Sequence, residues 1–507
     1  MSHFVDSKRN CFNTLLAGLG LLLPSLVTAG DTPAFPLSTH VDQFQITNGT
    51  ITFAEMFQDG NLMFQTPFNN LDGVGANLKQ DTSVSLRFSR VPRADLPGFT
   101  SDPFRATGPN ARSCTSCHNG PTAGDPRADD TSGDTVANAQ RDPQRTRNIA
   151  FFIQRNTPHL FGSGALQNLA QEMTAELLVT KTAVVTAATA CTSTCTKSGT
   201  LTSKGISFGT ISVTKQFFFC CSAPTVTVST ASVKGVSSDL IVRPYEWKGS
   251  VAFLRDFVRG AGLNEIGMQS VEMVGAGVDQ DKDGVTNELT VGDITALTVY
   301  NAAQPRPMTL KELNIQDPTA FPLTTTQLTA INAGETLFTA NCTGCHTASL
   351  TMNNPIFSEP SSSASYRDST LPSGVIPINL GLDSTKPVTF NFLTDPEVPF
   401  EAAPNGGAIV RLYSDLKWHD MGSDLAESID EAGNGKSVFI TEALWGVGNT
   451  APYLHDGRAP TLTAAILAHG GEALIARNAF AAMSGTNQSN LVEFLKNLVL
   501  FKLPEIE

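Results

Sequence analysis

The chain has 507 residues, more than one core usually organises, so two or more domains are expected. Apolar residues make up 41% and charged residues 16%, with 41 glycines and 29 prolines, a composition that fits a globular chain with long loops. The formal charge of −13 argues against nucleic acid or an anionic membrane surface as partner, and is compatible with docking a basic redox protein.

Residues 1–29 have the pattern of a removable export signal. Lys8 and Arg9 form a basic start, residues 15–27 are apolar, and Val27, Thr28 and Ala29 offer small side chains for cleavage. The apolar run is too short to span a bilayer and Pro24 interrupts it, so no stable membrane anchor is expected. Removing this segment takes away a net charge of +1 and leaves −14. The mature chain is expected in the periplasm or outside the cell.

Residues 30–111 are low in charge and rich in Phe, Asn and turn signals, a wrap of loops and short helices. They lead into Cys114-Thr115-Ser116-Cys117-His118, and the same pattern returns at Cys342-Thr343-Gly344-Cys345-His346. C-x-x-C-H is the attachment signature of c-type haem. Two thiols bond the vinyl groups of one porphyrin, and the adjacent histidine is placed to be the proximal axial ligand. Two complete copies on an exported chain favour two covalently attached haems over zinc knuckles or redox dithiols. Arg87, Arg90 and Arg112 are candidates to pair with haem propionates, because guanidinium matches carboxylate in two places at once.

After a polar loop at 119–147 comes Arg155-Asn156-Thr157-Pro158-His159, then a predicted helix over 165–173. Residues 175–240 are dominated by Thr, Val and Ser in strand-like alternation. Cys191, Cys195, Cys220 and Cys221 lie there without a following histidine. In an oxidising compartment they predict two disulfides bracing a β-rich insert, with Cys220 and Cys221 each bonded to Cys191 or Cys195. Asp279, Asp281 and Asp283, then Gly284, begin like a calcium loop. Glu288 falls at position 10, whereas an EF-hand needs Glu at position 12, where Thr290 stands. The stretch is either a related calcium loop or a solvated acidic turn.

From residue 324 a helix leads into the second C-x-x-C-H motif, the usual opening of a cytochrome c domain. A Ser- and Pro-rich loop follows at 353–401, and a closing helix is predicted over 491–500. The predicted fold is mainly α: two cytochrome c-like haem domains, 30–323 and 324–507, with long loops and a small disulfide-braced β-rich insert at about 175–240.

Two stretches carry a family resemblance. Residues 157–173 resemble the segment after the first haem in bacterial di-haem cytochrome c peroxidases. Thr450-Ala451-Pro452-Tyr453-Leu454-His455-Asp456-Gly457-Arg458, with Ala468-His469-Gly470-Gly471-Glu472, resembles the C-terminal haem domain of the di-haem oxidoreductase family. That family is related to the cytochrome c peroxidases, the methylamine-utilisation di-haem enzyme and the rubber oxygenases. The resemblance implies a distal acid/base group at Gln171 or Glu172. It also implies an electron-relay tryptophan, for which Trp247 is the candidate, and calcium near the domain junction. His159 is either a distal-pocket group or a structural histidine. For the second haem His455 is the leading distal ligand, with Tyr453, Met421, His419 and His469 as competitors. The implied activity is peroxidase-like. Electrons from a small redox protein, a cytochrome or a cupredoxin, would enter at the C-terminal haem and reduce hydrogen peroxide at the N-terminal one. An oxygenase or oxidase using O2, or an electron carrier with two saturated irons, are the alternatives on the same scaffold.

Overall fold

The computed structural model describes residues 37, 39–74, 111–119, 132–133, 140–141, 153–218, 223–279, 283–363, 365–366, 382–383, 385–396, 398–430 and 432–500. The export signal, Arg87, Arg90, Cys220, Cys221 and Asp281 lie outside the described residues. The helices that build the site are α1 (Phe53–Gln65), α2 (Ser163–Thr189), α3 (Leu254–Ala261), α4 (Val291–Ala302), α5 (Thr325–Asn341), α6 (Leu462–Ala468), α7 (Leu474–Ala481) and α8 (Gly485–Lys496). No helix among the described residues is long and apolar enough to cross a membrane.

Local chemistry opens several of these helices. Thr52 with Glu55, Thr290 with Asp293, and Thr324 with Gln327 each form a capping box, in which side chain and backbone satisfy one another at the helix start. Helix α4 is buried over almost its whole length, and α1 lies against it with Gly60 at the contact. A Cβ at Gly60 would come within 2.4 Å of the Ala296 carbonyl oxygen, so only glycine permits that approach. Met56, Met63 and Phe64 of α1 pack there with Ile294, Leu297 and Tyr300 of α4.

Helix α2 corrects the sequence reading. The stretch 175–189 was expected to be strand-like, but it continues the helix begun at Ser163. Leu169, Met173, Leu177, Val184 and Ala188 are buried at spacings of four and seven, one stripe of a helix. Packing overrides the β-branched residues' weak helix propensity. The stripe faces a three-stranded antiparallel sheet of β1 (Cys195–Ser203), β2 (Ile206–Gln216) and β3 (Thr225–Val233), with β2 central. Leu201, Phe208, Ile211 and Val213 complete that core. The β-rich insert is therefore present but begins twenty residues later than expected.

The disulfide pairing is a second correction. Cys191 bonds Cys195, so neither is available to Cys220 or Cys221. The chain reverses between the end of α2 and the start of β1, which brings the two Cα atoms within 6.4 Å, a bridgeable distance.

Helix α5 runs as expected into the second C-x-x-C-H motif, and Cys342 closes it with an N–H bond to the Phe338 carbonyl at 2.8 Å. It packs on α8, where Ile331, Phe338, Leu491, Phe494 and Leu495 form a core. At the crossing a Cβ on Gly334 would stand 2.0 Å from the Asn490 carbonyl oxygen. Gly334→Val is expected to separate the two helices and lower stability by about 1–3 kcal/mol. A denaturation midpoint measured on the helical circular-dichroism signal checks this. The closing helix ends at Lys496, earlier than the expected residue 500, because Asn497 turns the chain. Its carbonyl accepts from the Leu310 N–H at 2.9 Å, and Leu498–Val499 then pairs with Met308–Thr309.

Candidate haem-binding site

Each C-x-x-C-H motif opens onto its own cavity. The first motif sits on a tight turn, Cys114–Ser116, in which the Ser113 hydroxyl meets those of Thr115 and Ser116 at 2.9 Å. Its cavity, about 170 Å³, is lined among the described residues by Cys114, Cys117, His118, Phe64, Phe68 and the segment from α3 through Met268. Burial first, with the neighbouring His159 adding to it, pushes His118 down to about 4. The imidazole is thus neutral, the form that can give a lone pair to a metal. His118 Nδ1 is buried without a hydrogen-bond partner.

The second cavity is larger, about 470 Å³, and holds Cys342, Cys345 and His346. His346 Nδ1 lies 2.9 Å from the Tyr413 carbonyl oxygen. A proton there fixes the tautomer and leaves Nε2 free as an acceptor. Burial lowers His346 to about 4. His469, just beyond α6, repeats the arrangement: its Nδ1 is 2.8 Å from the Ala465 carbonyl oxygen, and burial lowers its pKa. The His346 and His469 ring centroids are 6.5 Å apart. Two metal–imidazole bonds of about 2 Å plus two half-rings ask for roughly 6 Å. The donor sets of both cavities therefore fit haem.

The other candidates for the sixth position are engaged differently. His455, the leading candidate from sequence, stacks on Phe439 at 4.4 Å and meets the Trp247 ring edge-on at 6.4 Å. Its Nε2 lies 3.8 Å from Asp456 and 3.9 Å from Glu427, and burial lowers it to about 4. His419 is clamped through both nitrogens, Nε2 on Asp415 and Nδ1 on Glu472, each at 2.9 Å. Burial pulls its pKa down, but the Asp415 hydrogen bond and the Cys345 sulfur outweigh that and raise it to about 10. A protonated ring with both nitrogens occupied does not bind metal. Met421 and Tyr453 line the cavity.

One wall belongs to both cavities. Asn156, Thr157, Pro158, Leu160, Glu246 and Trp247 line each of them. Trp247 Nε1 donates to the Asn156 carbonyl oxygen at 2.7 Å, and the Asn156 N–H donates to the His455 carbonyl oxygen at the same distance. Asn156 Nδ2 donates to the Pro452 and Leu454 carbonyl oxygens at 2.8 and 3.0 Å. Arg155 pairs with Glu427 through both guanidinium nitrogens. His159 lines only the second cavity and lies 6.5 Å from the Trp445 ring.

Gln171 and Glu172 line neither cavity. Gln171 accepts from the Ser361 hydroxyl at 2.5 Å. Glu172 pairs with Lys204 at 2.5 Å and accepts from the Asn353 and Asn354 N–H groups at 3.0 and 2.8 Å. The carboxylates that do line the first cavity are Glu246 and Glu265. Sequence reasoning passed over both. Glu265 sits in a π-helical turn, Gly262–Ile266, a local widening that recurs at functional sites but has no sequence signature.

In the acidic loop, Asp279 accepts from the Gly284 N–H at 3.0 Å and Asp283 from the Val285 N–H at 2.8 Å. The second oxygen of each is buried and, among the described residues, unpartnered. Burial, and then the charge of Asp279, raise the pKa of Asp283. Glu288 is turned inward and accepts from the Gln269 N–H at 2.6 Å. Among the described residues no three ligating side chains cluster.

Residues 398–498 match the family described as "Di-haem oxidoreductase, putative peroxidase". This is the family that the sequence resembles, and the matched segment holds His419, Glu442, Tyr453, His455 and His469. A crystal structure of a MauG-like protein associated with microbial copper homeostasis is similar at 18% identity. That match covers 50% of this chain and 68% of that one, with a TM-score of 0.25. A variant of the diheme peroxidase BthA from Burkholderia thailandensis is similar at 14% identity over 87% of this chain and 85% of that one, with a TM-score of 0.34. No curated protein matches the chain in sequence.

Proposed function

We propose that the protein is a periplasmic di-haem c-type oxidoreductase that reduces hydrogen peroxide with electrons from a small redox protein, a cytochrome or a cupredoxin. The observation that carries this reading is the pair of C-x-x-C-H cavities separated by a wall with Trp247 in both faces. When bound, the haems supply irons that change oxidation state and, where a position is open, accept a small oxidant.

The chain's own residues then have distinct tasks. Cys114 and Cys117, and Cys342 and Cys345, would hold the two groups covalently, with His118 and His346 as their histidine ligands. His469 rather than His455 would be the second histidine to hold the group in the second cavity, since its free nitrogen and its spacing from His346 suit that role. Among the described residues that line the first cavity His118 is the one histidine, and it would hold the group there. Trp247, hydrogen-bonded to Asn156, relays electrons from the second cavity to the first. Glu265, which lines the first cavity as Glu246 does, moves the protons that peroxide reduction consumes, in the place sequence reasoning gave to Gln171 or Glu172. His159 supports the partition.

The test is electron paramagnetic resonance of the oxidised holoprotein before and after hydrogen peroxide. The expected result is one low-spin signal and one high-spin signal, the second altered by peroxide. Two low-spin signals indifferent to peroxide would make the protein an electron carrier, and a stable oxygen adduct after reduction would favour an oxygenase. Glu265→Gln is expected to slow peroxide turnover by about 10²-fold or more, as loss of a general acid–base group does.

Asp279 and Asp283, with Asp281 and Glu288 as further donors, are proposed to bind calcium. The two orphaned, mutually repelling carboxylate oxygens support this, since a hard cation satisfies both. Millimolar calcium is expected to raise the thermal midpoint of the wild type and leave Asp283→Asn unmoved, which differential scanning calorimetry reads directly. Equal midpoints with and without calcium in the wild type would remove the site.

A further inference from the structure

Glu442 is a carboxylate that the proposed chemistry does not use. It lies between the strand Val438–Ile440 and Trp445, and its side chain lines the second cavity together with His346. Among the described residues it forms no hydrogen bond or ion pair, unlike the other carboxylates near the cavity: Asp415 holds His419, Glu427 holds Arg155, and Glu472 holds His419. A half-buried carboxyl group without a partner resists ionisation, because its loss of solvent penalises the charged form and no ion pair offsets this. Burial alone raises Glu442 to about 7.

The position matters because charge in the same cavity changes there during turnover. Adding one electron to the group held by His346 makes an anionic carboxylate beside it less favourable. A proton then binds more tightly. Resting on the di-haem reading above, we infer that Glu442 is a redox-linked proton site, which takes one proton from solvent as the second cavity takes one electron. The balance is one electron from a one-electron donor, one proton from water, and the conversion of a carboxylate to a carboxylic acid at the Glu442 side chain. Charge in the cavity is unchanged by the combined step. The device places a proton in a cavity that Trp247 also lines, on the side from which electrons for peroxide reduction would come.

The neighbouring titratable groups do not compete over the neutral range. His159, His346 and His455 are held near 4, and His469 is lowered, in each case first by burial. His419 is raised to about 10, Glu472 is lowered below the usual carboxylate range, and Tyr245 and Tyr453 are raised. Arg477 lines the same cavity. Glu246 on the opposite wall is tied to the Ser250 hydroxyl.

The experiment is a spectroelectrochemical titration of the holoprotein between pH 5 and 9, for the wild type and Glu442→Gln. In the wild type the potential of the second haem is expected to fall between about pH 6 and 8, with a slope that approaches 59 mV per pH unit, the one-electron equivalent of a tenfold change in proton binding. Glu442→Gln carries the neutral shape permanently, so its potential should be flat over that range and equal the low-pH value of the wild type. A redox difference infrared spectrum of the wild type should gain a protonated-carboxyl stretch on reduction, absent from Glu442→Gln. An unchanged slope in Glu442→Gln, or a reduction spectrum without that band, overturns the proposal and assigns any pH dependence to the haem propionates. Absence of a second reversible wave in the wild type would instead remove the di-haem reading on which the proposal rests.

Discussion

Arg255→Met is expected to lower stability by about 3–5 kcal/mol, the cost of leaving buried charge without its partner. Arg255 is 2% exposed, and its guanidinium reaches Glu272, Glu359 and the Thr295 hydroxyl, the last two at 3.0 Å. Glu272 and Glu359 are themselves 0% and 1% exposed. Arg259 completes the cluster through Glu272 at 2.9 Å and through Asp256. Methionine fills the volume but removes the charge, leaving buried Glu359 without its cationic partner and Glu272 with Arg259 alone. Glu359 already feels this: burial raises its pKa even with Arg255 in place. Urea denaturation of the holoprotein reads the loss, and an effect below about 1 kcal/mol would show that the pair contributes no more than an exposed one. The cluster also fixes α3, which runs directly into the π-helical turn carrying Glu265. The variant should therefore broaden the high-spin signal of the first haem as well as lower stability.

His469→Met is expected to raise the potential of the second haem while keeping it low-spin, because a thioether in place of imidazole favours the reduced iron. His469→Ala should convert that haem to high-spin. His455→Ala should leave the ligand-field spectrum intact, because its nitrogen faces Glu427 and Asp456. Optical and paramagnetic-resonance spectra of the three variants decide the matter. Loss of the low-spin signal in His455→Ala, with its retention in His469→Ala, would return the axial role to His455.

What was legible in the sequence follows from the range of the forces involved. The two haem motifs and the helix into the second one are local: five residues carry the chemistry, and Thr324 with Gln327 announces the helix start. The strands of the insert were legible from Thr and Val alternation. The continuation of α2 to Thr189 was not, because Thr182, Val184 and Val185 favour strand locally. Only contact with Leu201, Phe208 and Ile211, distant in the chain, makes them helical. The choice between His455 and His469 was equally hidden. His455 follows the Pro452 turn and His469 ends a helix, and what separates them is the hydrogen bond of His469 to Ala465 and the stacking of His455 on Phe439. Glu442 reads as an ordinary acidic residue until its lack of any partner is seen. The pairing of Cys191 with Cys195 depends on a chain reversal after α2 that spacing alone does not specify.

The wall formed by Asn156, Pro158 and Trp247 has a consequence for how the protein can change. Substitutions at distant, independent positions usually add, whereas those sharing a partner do not. Each residue in this wall lines both cavities, so a mutation there addresses both sites at once. A double-mutant cycle between Phe64, which touches only the first cavity, and Tyr453, which touches only the second, should be additive. The same cycle run in a Trp247→Phe background probes whether that independence is a property of the cavities or of the residue between them. Selection for a different substrate at the first cavity would therefore proceed through Phe64, Phe68 and Ile266 and leave the wall untouched. The partition is the part of the sequence least free to drift.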